Sequence, residues 1–182
     1  MGLTIKEALD LAKTAWKNLE NPNYESRYLL TELLQTDFSE LITNPQKPLS
    51  ESEIKTWQDW IIKRQNKYPA AYICQKAYFR DMSFFVNEDV LIPRPETEEL
   101  VDIAANLIEQ HHYQNILEVG IGSGCISISL AKLFPNLHFS ATDISEKALK
   151  VAQTNCQIHQ IPNLQLELAD LIPSHWQKSK WD

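Results

Sequence analysis

Three glycines spaced two residues apart are the part of this chain best suited to chemistry. Gly120, Gly122 and Gly124 stand between a short apolar run and a run with helical spacing. Glycine adopts backbone angles that are closed to other residues, and it lets a ligand lie against bare main chain. Glu118 would lie at the carboxyl end of the preceding strand, where open α/β sheets bind ligands. The spacing therefore favours a loop that binds a nucleotide or a related cofactor.

An acidic residue stands at the end of the next predicted strand. Asp143 follows Gly120 by 23 residues, and a carboxylate in that place can accept hydrogen bonds from both hydroxyls of a ribose. Its alternative role is to cap the following helix, although Ser145 suits that role. A dinucleotide dehydrogenase is the competing function, but its fingerprint requires glycine or alanine where this chain has Cys125.

The residues after position 114 alternate between strand and helix patterns. Such alternation predicts a parallel sheet with crossover helices on its faces. The third strand ends near Asp170, a second acidic residue at the same edge of the sheet, for which a loop-starting turn is the alternative role. The predicted strands cover residues 116–119, 138–142 and 164–168, and the predicted helices cover residues 125–134 and 146–159.

The first seventy residues carry apolar positions at helical spacing and predict a small helical bundle. Thr4 and Glu7 form the pattern of a capping box ahead of the first helix, and Ser50 begins the same pattern ahead of the fourth. The second and third helices are predicted over residues 22–35 and 37–43. The second helix is expected to direct these side chains inward: Tyr24, Tyr28 and Leu29.

Beyond the bundle the apolar pattern changes from helical to alternating. Two aromatic and β-branched runs, residues 73–79 and 83–86, predict a β-hairpin with Arg80 and Asp81 between the strands. The proline-rich run that follows predicts extended backbone, and then a helix over residues 96–110.

The composition predicts a globular protein. The chain has 182 residues, of which 43% are apolar and 23% charged. Its net charge of −7 argues against binding nucleic acid through a broad phosphate-binding surface. Neither a membrane span nor a signal peptide is predicted, so we expect a cytoplasmic protein. The three scattered cysteines show no metal-ligand spacing, and no metal is predicted.

Three segments together resemble a known family. The pattern E-x-G-x-G-x-G at residues 118–124 resembles the first motif of class I S-adenosylmethionine-dependent methyltransferases. VLIPRPETEELVD at residues 90–102, ILEVGIGSGCISISLA at 116–131 and ATDISEKALKVAQTN at 141–155 resemble the release-factor glutamine methyltransferases, the HemK or PrmC family. The P-R-P-E-T-E run is the discriminating part, because most other methyltransferases lack it.

The resemblance implies an α/β protein in three parts. A helical substrate-recognition domain would cover residues 1–70, a β-hairpin linker residues 71–92, and the N-terminal half of a Rossmann-like class I methyltransferase domain residues 93–182. The implied cofactor is S-adenosylmethionine, and the implied partner is a peptide chain release factor, with no membrane and no direct nucleic-acid partner. The implied reaction is methylation of a glutamine side-chain amide nitrogen.

The same resemblance assigns roles to residues of the site. The glycine loop would hold the methionine end of the cofactor, Asp143 its ribose, and Asp170 with Leu171 its adenine. Thr97 and its neighbours would close over the site. The residues implied to bind the cofactor are Thr97, Glu118, Gly120, Ile121, Gly122, Ser123, Gly124, Asp143, Asp170 and Leu171.

One motif of the family does not occur in these 182 residues. In family members a further strand and an N-P-P-Y motif follow the segment that corresponds to residues 164–182, and the Asn and Pro groups of that motif hold the glutamine amide. No N-P-P-Y is present here, so no catalytic residue is assigned. We expect a truncated form with only the first three strands of the seven-stranded sheet, in which the first strand has a bare edge.

Two other functions stay open from the sequence. A nucleic-acid methyltransferase acting on an exocyclic amine would share the cofactor fold, and it predicts a basic face or an added base-binding module. A cofactor-binding fragment without catalysis is the second alternative.

We predict that the 182-residue chain alone transfers no methyl group to a release factor. An amide nitrogen is a poor nucleophile, and it reacts only when acceptors hold both its hydrogens and aim it at the methyl group. A methyl-transfer assay with labelled S-adenosylmethionine checks this. Turnover comparable to that of a full-length family member would contradict the prediction.

Overall fold

The computed structural model describes residues 2–176 and residue 181. The chain divides into two compact units, residues 1–74 and residues 75–182. Residues 177–180 and 182, over which the expected methyltransferase half extends, lie outside the described residues. No helix in the described ranges is long and apolar enough to cross a membrane.

The first unit is the predicted helical bundle. Its helices are α1 (Ile5–Ala15), α2 (Pro22–Leu34), α3 (Phe38–Thr43), α4 (Glu51–Gln65) and α5 (Ala70–Ile73). Both capping boxes are confirmed, since the Thr4 hydroxyl accepts the Glu7 N–H and the Ser50 hydroxyl accepts the Glu53 N–H. Each box satisfies two N–H groups that the first helical turn leaves unpaired.

Two tryptophans form the centre of this bundle. Trp16 on the end of α1 and Trp57 on α4 meet edge to face with ring centroids 5.9 Å apart. Each indole N–H donates to a backbone carbonyl of the other helix, Trp16 to Ile61 at 3.1 Å and Trp57 to Ala8 at 3.0 Å. Both polar atoms are therefore satisfied inside an apolar core.

One inward-facing prediction for α2 is wrong. Tyr24 is 59% exposed and stacks on Phe38 of α3, whereas Leu29 is fully buried and Tyr28 is half-buried. A tyrosine ring can shield part of its apolar face against a neighbouring ring while its hydroxyl stays in water, so an aromatic residue at helical spacing need not enter the core.

The second unit begins with the predicted hairpin. Strand β1 (Lys76–Phe79) pairs antiparallel with β2 (Met82–Phe85) through a turn at Arg80 and Asp81. The prediction that the first strand begins at Ile73 is wrong, because that residue ends the short helix α5, which starts directly after Pro69. Pro69 is the N-cap of this turn, and its carbonyl accepts the N–H groups of Tyr72 and Ile73 at 3.1 Å.

The rest of this unit is a three-stranded parallel sheet with helices. After α6 (Glu96–His111) come β3 (Asn115–Val119), α7 (Cys125–Leu133), β4 (His138–Asp143), α8 (Glu146–His159) and β5 (Leu164–Leu168). The strand order is β3-β4-β5, and within the described residues β3 pairs on one side only, as expected. The parallel sheet predicted from sequence is confirmed. Pro95, expected to be extended, is already helical with φ −55° and ψ −36°.

Three helices are followed directly by a left-handed residue that is not glycine. The residue after α2, α6 and α8 has left-handed backbone angles, and these residues are Gln35, His112 and Gln160. The chain has four glycines in all, and three of them are in the loop between β3 and α7.

Candidate cofactor site

The loop at residues 120–124 is fastened to the end of β4. Its three glycines have φ values of +79°, +54° and +83°. The N–H groups of Gly120 and Ile121 both donate to the carbonyl oxygen of Thr142, at 2.8 and 3.0 Å. The parallel pairing that places Val119 opposite Thr142 brings these groups together. The loop is therefore a continuation of the sheet's hydrogen bonding.

The three glycines differ in what surrounds them. A Cβ added at Gly120 or Gly122 meets no described atom within 4 Å, so both positions border open space. A Cβ at Gly124 would lie 2.9 Å from the Cδ1 atom of Ile128 on α7. Two glycines therefore leave room for a ligand against the main chain, and the third allows the loop to pack on its helix.

The Asp143 carboxylate is hydrogen-bonded to the glycine loop. One carboxylate oxygen accepts the N–H of Gly122 at 3.0 Å, and the other accepts the N–H of Ser145 at 2.9 Å. Ser145 itself caps α8 by accepting the Ala148 N–H. The helix therefore has another cap, and the Asp143 carboxylate is fixed at the strand end by two backbone donors.

Glu118 is the second carboxylate at this edge. One of its oxygens accepts both the N–H and the hydroxyl of Ser127, a residue on the first turns of α7. Burial raises the pKa of Glu118 to about 7, the Ser127 bonds oppose that rise, and the nearby charge of Asp143 adds to it. The site therefore holds an acid whose charge changes near neutral pH.

The other expected site residues lie in three different settings. Ile121 and Ser123 are only 3% exposed, so both residues are buried between the glycines of the loop. Asp170 and Leu171 are exposed beyond β5, and the carbonyl of Leu171 accepts the Thr142 hydroxyl at 2.8 Å. Thr97 is half-buried in the first turn of α6, and no hydrogen bond within the described residues joins it to the glycine loop.

Three residues of the site were missed from sequence. Ser127 bonds Glu118, Thr142 bonds the loop and Leu171, and Asn155 on α8 bonds the Ser123 carbonyl at 2.8 Å. The signal in the sequence is the position of Asn155 at helical spacing from Val151 and Ala152, which places an amide on the apolar face of α8, where it requires partners.

Two family models match the chain in sequence order. The PrmC N-terminal domain matches residues 7–74, and the methyltransferase small domain matches residues 97–182. The chain belongs to the PrmC family of methyltransferases. S-adenosylmethionine is the cofactor of its methyltransferase domain.

Two relatives of this PrmC-family chain carry the same name, release factor glutamine methyltransferase. The protein from Clostridium acetobutylicum is 35% identical over 173 residues, which are 93% of this chain and 61% of that protein. The protein from Koribacter versatilis is 38% identical over 158 residues, 84% of this chain and 55% of that protein. The chain thus spans somewhat more than half the length of these two relatives.

A solved structure with partial similarity is the tRNA (uracil-54, C5)-methyltransferase of Pyrococcus abyssi in complex with S-adenosyl-L-homocysteine. The TM-score is 0.44 and the identity 22%, over 52% of this chain and 23% of that one.

The residues of the PrmC-family site fit this cofactor. The open space over Gly120 and Gly122 leaves backbone accessible to a ligand. A carboxylate stands on each side of the loop, which suits a molecule that has ribose hydroxyls and positive charges. The two carboxylates and the accessible backbone of the loop therefore provide the groups that S-adenosylmethionine needs for binding.

We predict that one glycine substitution mainly lowers stability and another mainly lowers cofactor binding. Gly124→Ala combines a left-handed angle with a clash against Ile128, so we expect a loss of about 2–4 kcal/mol in the free energy of unfolding. Gly120→Ala has only the backbone cost, about 1–2 kcal/mol, but its methyl group enters the ligand space and should weaken cofactor binding more. Urea denaturation and calorimetry with S-adenosylhomocysteine measure the two effects. Equal effects of both variants on binding and stability would contradict this.

We predict that Glu118 makes stability depend on pH. Its pKa in the folded chain is above the ordinary value of 4.5, so its contribution is fully present below that ordinary value and is lost as pH rises through about 7. Relative to wild type, Glu118→Gln should therefore gain about 2–3 kcal/mol between pH 4.5 and 8. Urea denaturation at several pH values checks this, with the exposed Glu109→Gln as control. Parallel curves for wild type and Glu118→Gln would show that the carboxyl titrates normally.

Proposed function

We propose that this protein methylates the side-chain amide nitrogen of a glutamine in peptide chain release factors. The observation that carries the proposal is the ordered match of a PrmC N-terminal domain and a methyltransferase domain. Two relatives named release factor glutamine methyltransferase support it, because their similarity extends across both parts of the chain. A cytoplasmic location belongs to the same proposal, since release factors act there in translation.

The proposed cofactor site uses both carboxylates and the loop between them. Residues 120–124 would hold the methionine end of S-adenosylmethionine through their backbone, and Asp143 would bind the ribose hydroxyls. Each carboxylate oxygen of Asp143 accepts one backbone N–H and has a further lone pair for a hydroxyl. The two backbone bonds fix the direction of these lone pairs before the ligand arrives.

Adenine would lie at the end of β5. Asp170 and Leu171 follow that strand and are exposed, and the Thr142 hydroxyl fixes the turn by donating to the Leu171 carbonyl. Thr97 would close over the cofactor from the start of α6. Its backbone N–H donates to the Arg94 carbonyl at 3.0 Å, which ties it into the P-R-P-E-T-E turn.

The Glu118 carboxylate would attract the positive charge of the bound cofactor. S-adenosylmethionine supplies an electrophilic methyl group on a positively charged sulfur. A cation at this edge favours the ionised form of Glu118, so affinity should rise as pH increases through about 7, the pKa of this carboxyl. The carboxylate would thereby help to distinguish the charged methyl donor from its neutral sulfur product.

On the substrate side, methyl transfer depends on the orientation of the glutamine amide rather than on acid–base catalysis. The lone pair of an amide nitrogen is delocalised into its carbonyl, so acceptors must hold both hydrogens and direct the nitrogen at the methyl group. No residue of this chain is assigned that role. The helical unit, residues 1–74, is proposed to help bind the release factor.

We predict that Asp143→Asn weakens binding of S-adenosylhomocysteine by about tenfold or more, since a hydrogen bond to a charged group contributes about 1.5–3 kcal/mol. The amide keeps the shape of the side chain and one acceptor for the backbone. Isothermal titration calorimetry measures the affinity, and Asp81→Asn in the exposed hairpin turn is the control. Unchanged affinity in Asp143→Asn would remove Asp143 from the site.

We predict that the protein, in the form that the cell makes, labels a release factor when supplied with S-adenosylmethionine carrying a labelled methyl group. Mass spectrometry of the product should locate the methyl group on a glutamine side chain. A release factor with that glutamine replaced by asparagine and a preparation of tRNA and DNA are tested in parallel. Label on nucleic acid instead of protein would overturn the proposed substrate and favour an exocyclic amine.

A further inference from the structure

The outer edge of the hairpin is bonded by side chains of α8. Asn155 accepts the N–H of Phe85 at 2.7 Å and donates to the carbonyl of the same residue at 2.9 Å. One turn later, the His159 Nε2–H donates to the carbonyl of Ser83 at 2.9 Å. β1 pairs with the other edge of β2. The helix thus gives β2 the bonds that another strand would otherwise supply.

Asn155 has a third bond, and it reaches the glycine loop. Its second N–H donates to the carbonyl of Ser123 at 2.8 Å, and the side chain is fully buried. The carbonyl of Ser123 and the N–H of Gly124 belong to the same peptide group. One amide therefore connects β2 to the loop that borders the cofactor space.

The opposite end of the hairpin is bonded to the start of α6. The Arg80 N–H donates to the Glu98 carboxylate at 2.8 Å, and its guanidinium lies 2.6 Å from Asp102. Glu98 is the last residue of the P-R-P-E-T-E run, one residue after Thr97. The hairpin thus joins the two segments proposed to enclose the cofactor, and Asn155 is its connection on the loop side.

The loop needs such a bond because its own sequence resists rotation poorly. Gly122 and Gly124, on either side of Ser123, have no Cβ atoms to restrict their dihedral angles. Within the loop, the N–H of the Ser123–Gly124 peptide donates to the carbonyl of Ile121 at 2.9 Å, and the Asn155 bond adds a restraint on the carbonyl of the same peptide from outside the loop. The hydrogen bond from the buried Asn155 amide therefore restricts the loop backbone, as the Cβ atoms of other residues would.

We propose that Asn155 is a positioning residue for cofactor binding: its bonds to Phe85 and Ser123 fix the glycine loop against the β-hairpin. The inference rests on the proposed cofactor site and adds a residue that does not touch the cofactor. Its effect on affinity acts through the Ser123–Gly124 peptide group.

The test compares two variants of α8. Asn155→Asp keeps the size and one acceptor but loses both donated bonds, so affinity for S-adenosylhomocysteine should fall about tenfold or more. His159→Ala loses the bond to Ser83 and the ring contact with Phe84, so it loosens the hairpin without touching the loop and should change affinity less than about threefold. Both are measured by calorimetry at a temperature where circular dichroism shows each chain to be folded.

Glycine labelling reports the loop directly. Because the chain has four glycines, a sample labelled with nitrogen-15 glycine gives at most four amide signals, three of them from the loop. The Gly124 signal should shift in Asn155→Asp, since its peptide carbonyl loses a donor, and should stay in place in His159→Ala. A general loss of packing would move the signals in both variants.

The outcomes separate this inference from the proposed function. If wild type does not bind S-adenosylhomocysteine, the cofactor site itself fails. If wild type binds and Asn155→Asp binds equally well with an unmoved Gly124 signal, only the positioning role is overturned. Should Asn155→Asp not fold, the wild-type side-chain amide signal of Asn155 decides: a shift on adding S-adenosylhomocysteine supports the inference, and an unchanged signal overturns it.

Discussion

The parallel pairing of β3 with β4 is the interaction on which the site depends. Its register places Glu118 opposite Ala141 and Val119 opposite Thr142, so both strands end at the same edge. The carbonyl of Thr142 then accepts two N–H groups of the glycine loop, and the next residue, Asp143, accepts a third. A shift of the register by one residue would turn the side chains of β3 to the opposite faces of the sheet, and Glu118 could no longer lie beside the loop.

The electrostatics of the site follow from this geometry. Burial raises the pKa of Glu118 to about 7, and the nearby charge of Asp143 at the same edge of the sheet adds to that rise. Asp143 accepts two backbone N–H groups, which fix the direction of its carboxylate. The same edge therefore holds one carboxylate fixed in place by the backbone and a second, Glu118, whose charge responds to that of its ligand.

Much of the fold and part of the site could be predicted from local sequence. The capping boxes and the strand and helix alternation are set by neighbouring residues, and the structure confirms those elements. Residues that act across the chain were missed. Asn155 bonds Phe85, 70 residues away, and nothing in its own neighbourhood indicates that partner. Tyr24 and the start of the hairpin were predicted wrongly, because exposure and the helical turn after Pro69 depend on packing rather than on hydrophobic period.

The distribution of glycine has a consequence for engineering this protein. Three of its four glycines are in one loop. Helices α2, α6 and α8 are followed instead by the left-handed residues Gln35, His112 and Gln160. Side chains at such angles cost roughly 1 kcal/mol each, and glycine is the residue that usually ends a helix in this way. At these three positions glycine would raise thermal stability and leave every bond of the site in place. Such a background would allow destabilising loop and α8 variants to be studied as folded proteins.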